Sequence, residues 1–302
     1  MAPLARSTAA IVVVYRASSD PRPLIAQLQS SAALTIVVDN SASGHPALVD
    51  LAAGPSLVRM HNANRGGLAG AYNRALDGLA AHPAPLTHVV FLDEDSDASG
   101  LGALLADAGV ARTLQNPTTA AVAPAYLDRA TGLRGKYIEL QRWRLHYLPR
   151  VFQGLRPVAF VINSMSVWRL DALRRIGAFN EGLAIDHVDT EYCLRARQAG
   201  LQVHVDGSHQ FLHSIGERRR FTFLGREMQA GGHSAARRYL IGRNTAWLGR
   251  RWLWREPAFA FLCLTRLGYE AVGIGLAEDH RLPKLWALLR GSLVGLFSPR
   301  LR

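Results

Sequence analysis

Thr87-His-Val-Val-Phe-Leu-Asp-Glu-Asp-Ser96 places three carboxylates directly behind a strongly apolar run. Such a run reads as a buried strand, and the acidic break after it marks the edge where a parallel sheet opens towards its ligand. Asp93 and Asp95, one residue apart in an extended segment, could point the same way and offer oxygen ligands suited to Mg2+ or Mn2+. A solvated acidic turn would look the same, so the flanking segments have to decide.

Working outward, strand-like runs recur at 10–15, 35–38, 56–60, 88–92 and 120–123, with helical periodicity near 23–31, 68–81 and 101–114. Strands alternating with helices predict an α/β fold, a mostly parallel central sheet flanked by helices. A further strand is expected at 158–162, a helix at 187–199 stopped by Gly200, and a strand at 201–205. From about 237, tryptophans and phenylalanines alternate with arginines, which predicts an amphipathic helical extension over 237–302. This gives a domain over 1–236, in two parts of about 1–124 and about 125–236, followed by the extension.

The other candidate residues lie at the ends of these runs. Asp39 closes Val-Val-Asp-Asn-Ser, where it either forms an Asx-turn or accepts the ring N–H of a uracil or thymine base. Asn62-Ala-Asn-Arg-Gly-Gly-Leu-Ala-Gly-Ala-Tyr-Asn73 leads from strand to helix and can bring N–H groups and the Arg65 guanidinium to an anion, or can be merely a turn. It is not a dinucleotide fingerprint, because Tyr15-Arg-Ala-Ser-Ser19 after the first strand has no glycine. That absence also speaks against a nucleotidyltransferase. In Ala184-Ile-Asp-His-Val-Asp-Thr-Glu-Tyr-Cys-Leu-Arg-Ala-Arg197, Asp186 and Asp189 are expected on one helical face, and Glu191 can pair with Arg195. These acids either stabilise a helix N-terminus or supply a general base. His213, after the strand at 201–205, is a candidate metal ligand.

Composition narrows the class. The chain has 302 residues, is 49% hydrophobic and carries a net charge of +12. Only Lys136 and Lys284 are lysines, and arginine favours bidentate phosphate contact, so an anionic partner is expected. The basic residues are dispersed without the aromatic interleaving of a nucleic-acid reader, so no nucleic acid is expected. Cys193 and Cys263 suggest neither a disulfide framework nor a zinc site, which fits a reducing cytoplasm. Residues 1–10 do not resemble a signal peptide, so export is not expected. The apolar run at 258–264 is bounded by Arg255, Glu256 and Arg266, so no membrane span is expected either.

In this order, the segments at Asp39, Asn64–Asn73, Phe91–Ser96 and Ile185–Arg195, with Arg243-Asn244, resemble the family 2 glycosyltransferases of GT-A fold, from residue 10 to about 213. Within that family the pattern is similar to bacterial rhamnosyltransferases that use dTDP-L-rhamnose. The resemblance implies that Asp39 binds the base, and that Asn64, Arg65, Gly66 and Gly67 lie beside the nucleotide. It implies that Asp93 lies near ribose and metal, that Asp95 coordinates a divalent cation, Mn2+ or Mg2+, and that His213 completes the metal site. Asp189 falls on the position of the catalytic base. Val188 replaces the acid usual before it, and Glu94 stands where glutamine is common in the rhamnosyl group. Asp186 and Glu191 are then the possible supporting acids, and the division of labour between Asp186 and Asp189 stays open.

The implied activity is inverting, metal-dependent transfer of L-rhamnose to a saccharide or lipid-linked saccharide of a cell-surface polysaccharide or glycolipid. The expected place is the cytoplasm, at the inner face of the plasma membrane if the basic aromatic extension contacts lipid rather than packing on the core. A galactofuranosyltransferase, or another transferase taking UDP-sugars, shares nearly every motif. A non-catalytic membrane- or nucleic-acid-binding protein on a transferase fold is the reading from a different class.

Overall fold

The computed structural model describes residues 4–15, 20–214, 219–223 and 225–301. Residues 16–19, where the sequence lacks a glycine fingerprint, lie outside them. The chain runs β1 (Thr8–Val14), α1 (Arg22–Ser31), β2 (Leu34–Asp39), β3 (Leu57–His61), α2 (Gly67–Ala80), β4 (His88–Asp93), α3 (Leu101–Ala106), α4 (Ala108–Gln115) and β5 (Thr119–Asp128). It continues with β6 (Ile138–Gln141), β7 (Arg144–Tyr147), β8 (Leu155–Val158), β9 (Val167–Arg169), α5 (Leu170–Ile176), α6 (Val188–Gln198) and β10 (Gln202–His213). The last elements are β11 (Arg219–Phe223), β12 (Arg226–Ala230), α7 (Ala235–Trp252), α8 (Pro257–Ala277) and α9 (Arg281–Phe297).

Two compact units are formed. The first takes the chain up to Ile138, then Tyr147–Ala184 and Val188–His213; the second takes Glu139–His146, Ile185–His187 and the chain from Ser214 onward. The second unit therefore starts before residue 237 and includes the β11–β12 hairpin.

The first unit is built on an eight-stranded sheet in the order β3-β2-β1-β4-β9-β5-β10-β8. β1 pairs in parallel with β2 on one side and β4 on the other, and every residue of β1 and β2 is buried. Continuous apolar runs such as Thr8-Ala-Ala-Ile-Val-Val-Val14 suit a sheet covered on both faces. β5 and β10 are parallel to each other, and the short β9 runs antiparallel to both β4 and β5.

Three elements depart from the sequence pattern for local reasons. The helix expected at 101–114 is two, because Asp107 is extended and accepts the Val110 N–H at 2.9 Å, capping α4 afresh. The strand expected at 158–162 ends at Val158. β10 runs on to His213 through an irregularity between Asp206 and Gln210, where Asp206 binds the Ser208 N–H and the His209 ring.

In the second unit, α7 and α9 pack backbone to backbone. A Cβ on Gly291 or Gly295 would overlap the carbonyls of Tyr239 or Arg243, and one on Gly242 would overlap that of Leu288. Arg238, fully buried, pairs with Glu270 and Glu278, and Lys284 joins Glu278 at 2.9 Å. In α8, Arg266 interrupts the apolar run but not the helix. The helix continues through Arg266 for 21 residues and is long and apolar enough, by length and composition, to cross a membrane.

His88 opens β4 opposite Arg169 of β9. Burial, then the Arg169 charge, pushes its imidazole down to about 4. A histidine held neutral in the fold costs stability as pH falls, beginning near its unfolded value of about 6.5 and levelling off below about 4. Urea unfolding should therefore show the protein losing about 2 kcal/mol from this group between pH 7.5 and pH 5. The His88→Asn variant should lack that part of the pH dependence, and an identical profile in the variant would refute the assignment.

Candidate active site

The register of the sheet sets two carboxylates beside β1. Asp39 at the end of β2 pairs with Val14, and Asp93 at the end of β4 pairs with Val13. Both therefore sit at the carboxyl edge, one on each side of the central strand.

Asp39 is buried and forms the turn that its sequence allows. Oδ1 accepts the Ser41 N–H at 3.0 Å, and Oδ2 accepts the His45 N–H at 2.7 Å. Each carboxylate oxygen retains a second lone pair, so the turn leaves accepting capacity. Beside it, the Asn62 amide donates to Asn40 Oδ1 at 2.8 Å and to the Arg65 carbonyl at 2.7 Å, and Asn40 Nδ2 approaches Asn64 Oδ1 at 3.3 Å.

These bonds hold an unusual turn. Ala63, Asn64, Gly66 and Gly67 all have positive φ, between 52° and 64°. The N–H groups of Arg65, Gly67 and Leu68 bind the carbonyls of Asn62, Asn64 and Ala184. The start of α2 thus meets protein acceptors, and the exposed Arg65 is the group of this turn with charge to offer. A Cβ on Gly67 would overlap the Ala184 carbonyl, and one on Gly70 the Arg65 carbonyl. The glycines that the sequence suggests as a nucleotide cradle have this packing role in the structure.

Asp93 has the most constrained carboxyl of the site. Tyr72 and Ser164 hydrogen-bond to it, while burial, then the Asp95 charge, pushes it up to about 6. Ser96 Oγ accepts the Asp93 N–H at 2.9 Å and lies 2.6 Å from Ser164 Oγ. Glu94 accepts the Tyr15 N–H, and burial pushes its carboxyl up to about 7. Asp95 is exposed.

Tyr72 lies within the glycine-rich segment, but nothing in the sequence signals its role. Its buried hydroxyl binds Asp93 and lies in the field of both Asp93 and Asp189. The ring packs on Phe91 and Phe179 with centroids 4.6 and 5.2 Å away, and Phe179 stacks on Tyr192 of α6 at 3.9 Å. Ser164, equally unforeseen, follows Asn163, whose buried amide has neither N nor O partnered among the described residues.

Asp189 is half-buried in the first turn of α6. Glu191 forms the helix ion pair. Both of its oxygens take Arg195 Nε at 2.9–3.0 Å, and that guanidinium also holds the carbonyls of Ile176 and Ala178. Asp186 does not share a helical face with Asp189, because the helix begins at Val188 and Asp186 and His187 are left-handed, with φ of 60° and 63°. Within the second unit, Asp186 pairs with Arg237 at 3.3 Å, and Asn244 Nδ2 binds the Ile185 and Asp186 carbonyls at 2.8 and 3.2 Å.

Asp93 and Asp95 fit a hard divalent cation, since a cation favours the charged form of Asp93 that burial, then the Asp95 charge, disfavours. Among the described residues, no three His, Cys, Asp or Glu side chains converge as a metal cluster. His213 is accordingly not gathered with the two acids. It ends β10 opposite Asp128, its ring 6.0 Å from Tyr126 and 5.9 Å from Phe211.

The chain has the GT-A glycosyltransferase fold. It superposes on a crystal structure of GalNAc-T7 with UDP, GalNAc and Mn2+ at a TM-score of 0.50 and 10% identity, covering 89% of this chain and 56% of that one. A crystal structure of S. aureus TarS 1-349 gives a TM-score of 0.47 at 14% identity over 94% of this chain and 71% of that one. In sequence the chain resembles a dTDP-rhamnosyl transferase, RfbF of Shigella flexneri, being 27% identical to it over 140 residues. The match covers 46% of each chain, so this chain aligns with about half the length of that relative. No protein-family model matches.

The close approach at Gly67 yields a stability prediction. Gly67→Ala combines a left-handed backbone with overlap at Ala184, and should lower the free energy of unfolding in urea by about 1–3 kcal/mol. An unchanged midpoint would show that α2 can move away from this segment without cost.

Proposed function

We propose that this protein is an inverting glycosyltransferase that moves a sugar from a nucleotide diphosphate donor, with dTDP-L-rhamnose as the favoured donor. The observation that carries the reading is the buried Tyr72 hydroxyl, which is bonded to Asp93 and lies in the field of Asp189. It relates a carboxylate at the donor-side sheet edge to the acid on α6. The fold supports the class, and the partial likeness to a dTDP-rhamnosyl transferase supports the sugar.

In this mechanism Asp39 accepts from the base, using the lone pairs left by its turn, and Arg65 faces a donor phosphate. Asp93 and Asp95 would hold a Mn2+ or Mg2+ ion, which when bound stabilises negative charge on the departing diphosphate. Asp189 takes the proton of the acceptor hydroxyl as that oxygen bonds to the anomeric carbon. The bond from the anomeric carbon to the diphosphate oxygen breaks, and its electron pair leaves with the nucleotide. A single displacement inverts the anomeric centre. Tyr72 holds Asp93 in place. Glu191 supports Asp189 indirectly, because its ion pair with Arg195 fixes α6 to the Ile176–Ala178 segment. Asp186, paired with Arg237, is assigned no share of the base role. The acceptor is a saccharide or lipid-linked saccharide, met at the cytoplasmic side of a membrane.

Asp189→Asn removes the proton acceptor at almost constant shape. It should lower transfer by about 100- to 10,000-fold while leaving nucleotide binding by calorimetry nearly intact, and full turnover would remove Asp189 from the role. The donor is tested by comparing dTDP-rhamnose with UDP-galactofuranose and other UDP-sugars on the same enzyme. Faster turnover of a UDP-sugar would replace the rhamnosyl reading, and activity that survives complete chelation of divalent ions would exclude the metal-dependent form.

A further inference from the structure

Within the second unit, α9 has two unlike faces. Leu288, Gly291 and Gly295 are buried, and the glycines lie against the α7 backbone. Elsewhere on the helix Leu282, Trp286, Leu289, Leu293 and Phe297 recur every three or four residues and are 81%, 64%, 51%, 48% and 77% exposed. At 100° per residue these five fall within one sector, pointing away from the glycine face. They form a continuous apolar stripe on a helix whose opposite side is already packed. α8 adds exposed Phe261 and Leu264, and Trp254 just before it is 84% exposed. Apolar surface of this extent needs a partner.

The charge around the stripe selects the partner. α9 carries Arg281 and Arg290 and no acid, its Lys284 being tied to Glu278, and α7 adds Arg243, Arg250 and Arg251 and no acid, its Arg237 and Arg238 being paired with Asp186 and with Glu270 and Glu278. Arg290 borders the stripe and lies 5.9 Å from the ring centroid of Tyr239. The acids Glu270 and Glu278 are engaged with Arg238 and Lys284. A second copy docking through α9 would bring its cations onto these cations. An anionic lipid surface matches both parts, taking the leucines, Trp286 and Phe297 below the headgroups and the basic residues among them.

We infer that α9 is a membrane-docking helix that lies in the headgroup region of an anionic bilayer. α8 is long enough to span, yet Arg266 and Glu270 lie one turn apart on it and Glu270 is tied to Arg238 of α7. Extracting α8 into hydrocarbon would break that buried pair, so the helices dock as a folded layer. The inference is independent of which sugar is transferred, or of whether any is.

Flotation of the full chain with vesicles tests it. The protein should float with phosphatidylcholine–phosphatidylglycerol vesicles, bind pure phosphatidylcholine more weakly, and be released progressively by added salt. Trp286→Glu and Leu293→Glu should each weaken the partition constant by at least about tenfold, with the far-UV spectrum and unfolding transition unchanged because both side chains are exposed. Three results would overturn the inference. They are no binding to either vesicle, wild-type binding by both folded variants, or a stable dimer in sedimentation equilibrium that the same substitutions dissociate.

Discussion

The site depends on keeping one carboxyl, Asp93, at the buried edge of a parallel sheet. Burial and the neighbouring Asp95 disfavour its charge, while Tyr72 and Ser164 offer hydrogen bonds that favour it. Tyr72 reaches it only because α2 lies close to the sheet. The turn that opens α2 requires the missing side chains at Gly67, beside Ala184, and at Gly70, beside the Arg65 carbonyl, and the left-handed run of Ala63, Asn64, Gly66 and Gly67. The same ring touches Phe179, which stacks on Tyr192 of α6. Burying the Tyr72 ring thus fixes the geometry of the acidic edge and of α6 together.

This explains why the strands were legible and the site only partly so. β1, β2 and β4 are uninterrupted apolar runs closed by polar residues, and buried parallel strands have that pattern because both faces are covered. Their order places Asp39 and Asp93 on either side of β1, as the reading of ligand edges anticipates. Tyr72 and Ser164 escaped because a hydrogen bond between residues distant in sequence leaves no periodic trace. The glycines were visible, but what they make room for was not. A nearby carbonyl and an anion both demand an absent side chain, and only the coordinates name Ala184.

Asp186 shows the opposite error. Spacing of three suggested a shared helical face with Asp189, but left-handed Asp186 and His187 precede the helix and turn that carboxylate to Arg237. Non-glycine residues in this region are uncommon, so no pattern rule anticipates two in succession. His213 differs from the expectation in its setting. The irregularity near Asp206 lets β10 continue, so the histidine ends a strand rather than lying in a loop beyond one.

The positive charge of the chain also divides once partners are assigned. Arg195 binds Glu191 and two carbonyls, Arg238 is a buried link between two glutamates, and Arg237 holds Asp186. These arginines maintain the fold, and their charge is largely neutralised where they sit. A net charge of +12 therefore says less about the partner than where the remaining cations lie. On α7 and α9 no acid interrupts them, and they border a helix whose small residues face inward and whose large apolar ones face outward. A helix that placed its bulky residues in the core would have no use for glycine at the α7 contact. The inversion follows if α9 serves two contacts, a close backbone approach on one side and an external apolar phase on the other.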